Sequence, residues 1–211
     1  MLTFLILSGP TKEYIDPVRF ISNDSSGKMG TALYEEAVKK GHRVIFISGQ
    51  SRFLPKNAKI HQAISASDMF KLLKKFFGKA DIVISTAAIA DFRPAAFSAE
   101  KIKKKDSLVL KLVKNPDLLS FCSAHKKRGQ VIAGFALETE NLLKNAQAKL
   151  EKKNLDLIVA NTAKSLNADA GAAVIIKKDG QKIVLKKTSK NKIAQRIINE
   201  TISIFRTSTL D

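Results

Sequence analysis

The chain has 211 residues, 45% of them hydrophobic, which suits one domain with a sizeable core. Lysine and arginine number 37 against 19 acidic residues, a net charge of +18, and the single cysteine, Cys122, excludes an internal disulfide. No apolar run reaches membrane-spanning length, and Met1–Leu7 lacks the basic start and small-residue cleavage site of a signal peptide, so a cytoplasmic protein with no membrane partner is expected.

Leu2–Leu7 reads as a buried strand that runs into a long polar loop, Ser8–Gly27. Met29–Lys40 is a predicted helix closed by Gly41. Arg43–Ser48 is a buried strand and Ala58–Ile64 a short further one. Asp68–Phe77 is helical, with Ser67 as its predicted N-cap. Asp81–Ser85 is a strand leading into the loop Thr86–Glu100, and Leu108–Val113 is another strand. Asn115-Pro116-Asp117 opens a helix with proline in its first turn. Val131–Ala136 and Leu155–Ala160 are strands flanking a helix over Glu140–Lys153. Ala172–Lys187 is a hairpin turned by Asp179-Gly180. The last helix, Lys190–Phe205, carries a stripe at Ile193, Ile197 and Ile204.

Alternating strands and helices imply an α/β fold. The expected architecture is a Rossmann-like, doubly wound, mainly parallel sheet flanked by helices, with an added β-hairpin. No linker, repeat or low-complexity block interrupts it, so residues 1–211 are read as a single domain. Ligands of such folds sit outside the carboxyl ends of the strands.

The first loop, holding Gly9, Asn23, Ser25, Ser26 and Gly27, leads into a helix start, where free amides and the helix dipole favour an anion. Arg19 and Lys28 add positive charge there. The loop is neither a close-spaced dinucleotide fingerprint nor a Walker A loop, so residue chemistry leaves it an anion or nucleotide site or an ordinary βα loop. The run Lys101–Lys105 is either a solvated face or holds a lysine turned inward against phosphate. Asp91 is either a surface carboxylate or a hard oxygen ligand for Mg²⁺ beside phosphates. His42, His61 and His125 have no metal-ligand spacing with Cys122, which reads as a small core residue. The high charge raises a second reading, a basic nucleic-acid-binding module on a Rossmann-like fold. Dispersed lysines and few aromatics weigh against it.

Several blocks taken in order resemble phosphopantothenoylcysteine synthetase, the phosphopantothenate–cysteine ligase of coenzyme A biosynthesis. They are Gly9–Glu13, Asp16–Asn23, Ser25–Gly30, Ala87–Pro94, Glu100–Lys104, Leu112–Asp117, Gly134–Thr139 and Lys153–Asn161. The resemblance implies a ligase joining 4′-phosphopantothenate to L-cysteine. CTP is the expected co-substrate, an acyl-cytidylate the intermediate, and phosphopantothenoylcysteine, CMP and pyrophosphate the products. It implies that Asn23 and Lys101 are catalytic, Asn23 at the acyl group and Lys101 against the nucleotide phosphates. Ser25, Ser26 and Gly27 would join Asn23 at the substrate. Gly9, Ser85, Thr86, Ala87, Asp91, Pro116, Asp117, Leu118, Leu119, Phe135, Lys149 and Lys153 would bind nucleotide, with Asp91 also holding Mg²⁺. The motifs are of the bacterial type, which favours CTP over ATP. Asp24 stands where many bacterial relatives carry histidine, and a carboxylate there is expected to face away from the phosphates. No flavin-binding decarboxylase sequence is present in the chain. The resemblance therefore implies a stand-alone ligase, with a separate decarboxylase acting next. It also implies a homodimer, joined through either the Ala172–Lys187 hairpin or the Leu108 region.

Overall fold

In a computed structural model, which describes residues 1–104, 106–162 and 169–209, the chain is built on an eight-stranded sheet. Its strands are β1 (Thr3–Ser8), β4 (Arg43–Ser48), β5 (Ile60–Gln62), β6 (Ile82–Ser85), β9 (Val131–Glu138), β10 (Leu157–Thr162), β11 (Ala170–Lys177) and β12 (Lys182–Ser189). They lie in the order β12-β11-β10-β9-β6-β1-β4-β5. All neighbours from β10 to β5 pair in parallel. The expected hairpin adds β11 and β12 antiparallel at the other edge. The chain winds outward through β4 and β5, then returns to β6 on the other side of β1. This reversal opens a crevice at the carboxyl ends of β1 and β6, where doubly wound sheets bind ligands.

The parallel strands are apolar on both sides because helices cover both. Leu5, Leu7, Val83 and Ile132 point to one core, filled by α2 (Ala66–Phe77), α3 (Leu118–Ala124) and α4 (Leu142–Lys152). Phe4, Ile6, Ile84 and Ala133 point to the other, filled by α1 (Lys28–Lys39) and α5 (Lys190–Ser208). Burying one Leu, Ile or Phe side chain contributes about 1.5–3 kcal/mol, so the central strands hold both layers to one frame. The α5 stripe is seated as predicted at Ile193 and Ile197, with Ile204 half-buried. Cys122 is fully buried among the α2–α3 side chains, and burial pushes its thiol up to about 12. Among the described residues, no helix is long and apolar enough to cross a membrane.

Three local expectations are corrected. The cap of α2 is Ser65, not Ser67: Ser65 Oγ accepts from the Asp68 amide and the Asp68 carboxylate accepts from the Ser65 amide. This reciprocal box satisfies two otherwise unpaired donors, and the Glu13 carboxylate takes a third from Ala66 at 2.9 Å. The predicted Leu108–Val113 strand shrinks to β8 (Leu112–Lys114), which leaves the main sheet and pairs with β7 (Phe92–Pro94). Pro116 lies before α3 rather than in its first turn. Asp117 is the cap and accepts from the Ser120 amide at 2.9 Å. A small hairpin missing from the sequence reading, β2 (Lys12–Tyr14) with β3 (Phe20–Ser22), folds inside the first loop.

Candidate active site

At the carboxyl ends of β1, β6, β9 and β10 lies a cleft of about 530 Å³. Its first wall is the start of α1. Gly27 has φ +82°, a conformation that side-chain-bearing residues rarely adopt, and it begins α1 with no side chain capping the first amides. Those amides stay available to an anion. One turn further, a Cβ on Gly30 would stand 2.0 Å from Ser8 Oγ, so the glycine lets α1 close down on β1. Gly9, at φ +74°, makes the turn out of β1. A tight turn and close helix–strand packing are two of the three glycine roles of a dinucleotide fingerprint. Here Gly9 and Gly30 meet them with the β2–β3 hairpin inserted between, and the loop remains outside the fingerprint pattern.

The second wall is the loop after β6. The Ala88 amide donates to the Gly9 carbonyl at 3.0 Å, and the Ala90 amide donates to Thr11 Oγ1 at 3.1 Å. The loops after β1 and β6 are thereby stitched across the crevice. Thr86 and Ala87 line the cleft, whereas Ser85 is buried in β6 beneath it. The Asn23 amide group donates to the Ile89 carbonyl at 3.0 Å, which fixes its carbonyl and amide ends over the cleft beside Ser25 and Ser26. Asp91 lines the same cleft. Its carbonyl accepts from the Asn115 amide at 2.8 Å, and the Asn115 side chain donates to the Ala90 carbonyl. Among the described residues no group of three or more potential metal ligands occurs. Asp91 thus offers the cleft one carboxylate, too few ligands for an all-protein metal cage.

The far end is made by β9 and α4. The Lys149 ammonium donates to the Phe135 carbonyl at 2.9 Å, and both residues line the cleft. Burial lowers the Lys149 pKa below the usual lysine value, although Glu138, Asp91 and Asp117 favour its charge.

The remaining predicted residues stand apart from this cleft. Lys153, at the end of α4, is ion-paired with Asp117 and donates to Ser120 Oγ at 2.8 Å. Burial raises the Asp117 pKa, but Lys153 and the Ser120 amide outweigh it and leave the carboxyl below its ordinary range. Pro116, Asp117, Leu118 and Leu119 do not line the cleft, and Leu118 is buried. Lys101 lies in a second hollow with Arg19, Lys103 and Lys104, while Lys105 falls outside the described residues. Within one chain, Lys101 does not line the cleft with Asn23 and Asp91. Asp24 is exposed and lines the cleft. Sequence reading missed Leu137, on a strand end, and Lys190, at the start of α5. A continuous apolar run marks that strand and a serine cap marks α5, but nothing in them marks the cleft.

Fold and site together define a doubly wound α/β protein with an anion-receptive cleft at the switch point of its sheet. The family described as DNA/pantothenate metabolism flavoprotein C-terminal domain matches residues 2–204, and the chain belongs to that family. Coenzyme A biosynthesis bifunctional protein CoaBC of Haemophilus influenzae is 41% identical over 210 residues, covering 97% of this chain and 52% of that protein. The CoaBC of Bacillus subtilis is 43% identical over 207 residues, covering 95% and 51%. The chain thus spans about half the length of these curated relatives. The crystal structure of the C-terminal domain of a CoaBC superposes with a TM-score of 0.84 at 34% identity, covering 100% of this chain and 97% of that one. A DNA/pantothenate metabolism flavoprotein from Streptococcus pneumoniae, 23% identical with a TM-score of 0.83 and covering 96% and 99%, shares the fold.

Proposed function

We propose that the chain is the ligase that joins 4′-phosphopantothenate to L-cysteine at the expense of CTP, within coenzyme A biosynthesis. The observation that carries the reading is the meeting of Asn23, Asp91, Phe135 and Lys149, from separate segments, in one cleft of a family member. A carboxylate has no useful leaving group. Its oxygen attacks the α-phosphorus of CTP, pyrophosphate departs, and an acyl-cytidylate results. The cysteine amine then attacks the acyl carbon, loses a proton, and expels CMP.

Negative charge grows first around phosphorus and then on the acyl oxygen, so fixed donors at both places lower the barriers. Amides at the start of α1 serve the phosphates. The Asn23 side chain, held by Ile89, serves the acyl group. Phe135 and Lys149 take the nucleoside end. Asp91 is the residue that would hold Mg²⁺, which when bound offsets phosphate charge. Lys101, which the resemblance sets against the nucleotide phosphates, lies in the separate hollow that holds Arg19, Lys103 and Lys104.

A homodimer belongs to the same reading. Val18, Phe20, Phe97, Leu108 and Val109 are 58, 41, 59, 50 and 91% exposed around the two small hairpins. The outer strand β12 instead carries Lys182, Lys186 and Lys187, the charged edge that discourages pairing. The Leu108 side is therefore the proposed contact.

The test is pyrophosphate release from CTP plus 4′-phosphopantothenate, with ATP in parallel and cysteine added or withheld. Cysteine-dependent CMP and phosphopantothenoylcysteine are expected. No pyrophosphate from folded protein with Mg²⁺ and either nucleotide would overturn the reading.

A further inference from the structure

The reaction proposed for this cleft brings two anions and one ammonium together. CTP and 4′-phosphopantothenate carry phosphates, whereas L-cysteine enters with a positively charged α-amine. The wall suits the anions, because Lys28, Lys149 and Lys190 all line it. An ammonium entering such a wall meets like charge and needs a carboxylate of its own. Among the described residues, two carboxylates line the cleft, Asp24 and Asp91.

The two come from different segments. Asp91 lies beyond β6, its carbonyl accepting from the Asn115 amide at 2.8 Å, and in the ligase reading it is the residue for Mg²⁺. Asp24 stands in the loop between β3 and α1, next to Asn23, with the two Cα atoms about 3.8 Å apart across one peptide. The Asn23 side chain is fixed on the Ile89 carbonyl at 3.0 Å, and Ser25, Ser26 and Gly27 continue along the cleft after Asp24. The attacking amine must arrive where the acyl group is held, and Asp24 is the carboxylate one residue from that place. It is also exposed, so a small amino acid reaches it from solvent.

We propose that Asp24 binds the α-ammonium of L-cysteine and holds its nitrogen beside the acyl group at Asn23. The inference rests on the ligase reading and adds the cysteine subsite to it. A neutral imidazole accepts a hydrogen bond from an ammonium as a carboxylate does, so the histidine that the resemblance sets here in many bacterial relatives keeps the acceptor.

Two assays on the purified protein separate the half-reactions: pyrophosphate release from CTP plus 4′-phosphopantothenate without cysteine, and CMP release as cysteine is varied. Asp24→Asn keeps the size of the side chain and removes its charge. It is expected to release pyrophosphate within about twofold of wild type and to raise the KM for cysteine by about 10- to 100-fold, the value of a hydrogen bond to a charged group. Asp24→Glu should recover most of that loss. Hydroxylamine, an amine that is uncharged near neutral pH, has no ammonium to bind. With it in place of cysteine, Asp24→Asn should form the hydroxamate as fast as wild type.

An unchanged KM for cysteine in Asp24→Asn would overturn the subsite. Equal losses with cysteine and hydroxylamine would overturn it too, because the carboxylate would then act on the acyl-cytidylate and not on the ammonium. Lost pyrophosphate release in Asp24→Asn would place the residue in the first half-reaction, with the same result. Wild-type protein that releases no pyrophosphate, or whose CMP release does not depend on cysteine, would instead overturn the ligase reading itself.

Discussion

The Asp16 carboxylate accepts a 3.1 Å hydrogen bond from the Ile102 amide, 86 residues further along the chain. It also accepts from the Val18 and Arg19 amides, each at 2.8 Å, and pairs with the Arg19 guanidinium at 3.2 Å. Asp16 is fully enclosed, and it ties the first loop to the segment that carries Lys101. Burial pushes its carboxyl up, but the three amides and Arg19 outweigh burial and hold it below its ordinary value. A lowered folded pKa gives stability that is present above the unfolded value and lost as pH falls through the folded one. Asp16→Asn should therefore be less stable than wild type at pH 7, with the gap closing toward pH 3 in urea unfolding. A constant gap across that range would assign the loss to packing instead.

Asn23→Asp places a carboxylate against the Ile89 carbonyl that now accepts from the Asn23 amide. It also removes the donor proposed for the acyl oxygen. Product formation should fall by about 100- to 1000-fold, the usual effect of losing one oxyanion donor, while CTP affinity changes little. Normal turnover would remove Asn23 from the chemistry.

Lys101→Gln removes one cation from the hollow shared with Arg19, Lys103 and Lys104. Product formation should nearly vanish if Lys101 acts on the nucleotide phosphates. Unchanged kcat and KM would show that the hollow serves no step.

Gly30→Ala puts a methyl group 2.0 Å from Ser8 Oγ and 2.4 Å from Ser8 Cβ. The α1–β1 contact must open, at about 1–3 kcal/mol in chemical denaturation. Adding Ser8→Ala should not rescue it, because the Cβ clash persists. Adding Ser8→Gly should recover part of the loss.

Lys149 loses its proton at a lower pH than a solvated lysine, chiefly because it is buried. Nucleotide affinity should weaken on the alkaline side as this ammonium is neutralised, with a midpoint below the ordinary lysine value of 10.5. Lys149→Met should bind more weakly at neutral pH and lose that alkaline limb. A limb that survives in Lys149→Met belongs to another group.

The sequence by itself determined the layered architecture and the main strands, because buried parallel strands such as Phe4–Leu7 and Ile82–Ile84 are continuous apolar runs with few alternatives. It also determined the Asp179-Gly180 hairpin, where the turn residues specify the geometry, and the family, through ordered motifs that no local property imitates. Tertiary structure alone decided what local pattern leaves open. Leu108–Val113 looks like a strand, yet only its end pairs, because β7 and not the main sheet offers a partner. Ser67 can cap a helix as well as Ser65 can; the reciprocal bond with Asp68, and Glu13 arriving from β2, select Ser65. Lys149 and Lys153 share one helix, but Asp117 holds Lys153 outside the cleft that Lys149 enters. Lys28 and Lys190 are distant in the chain and adjacent in space because α1 and α5 cover the same face of the sheet. Pairing energies between remote segments are set by which surfaces the fold brings together, and no window of sequence contains both sides of such a contact.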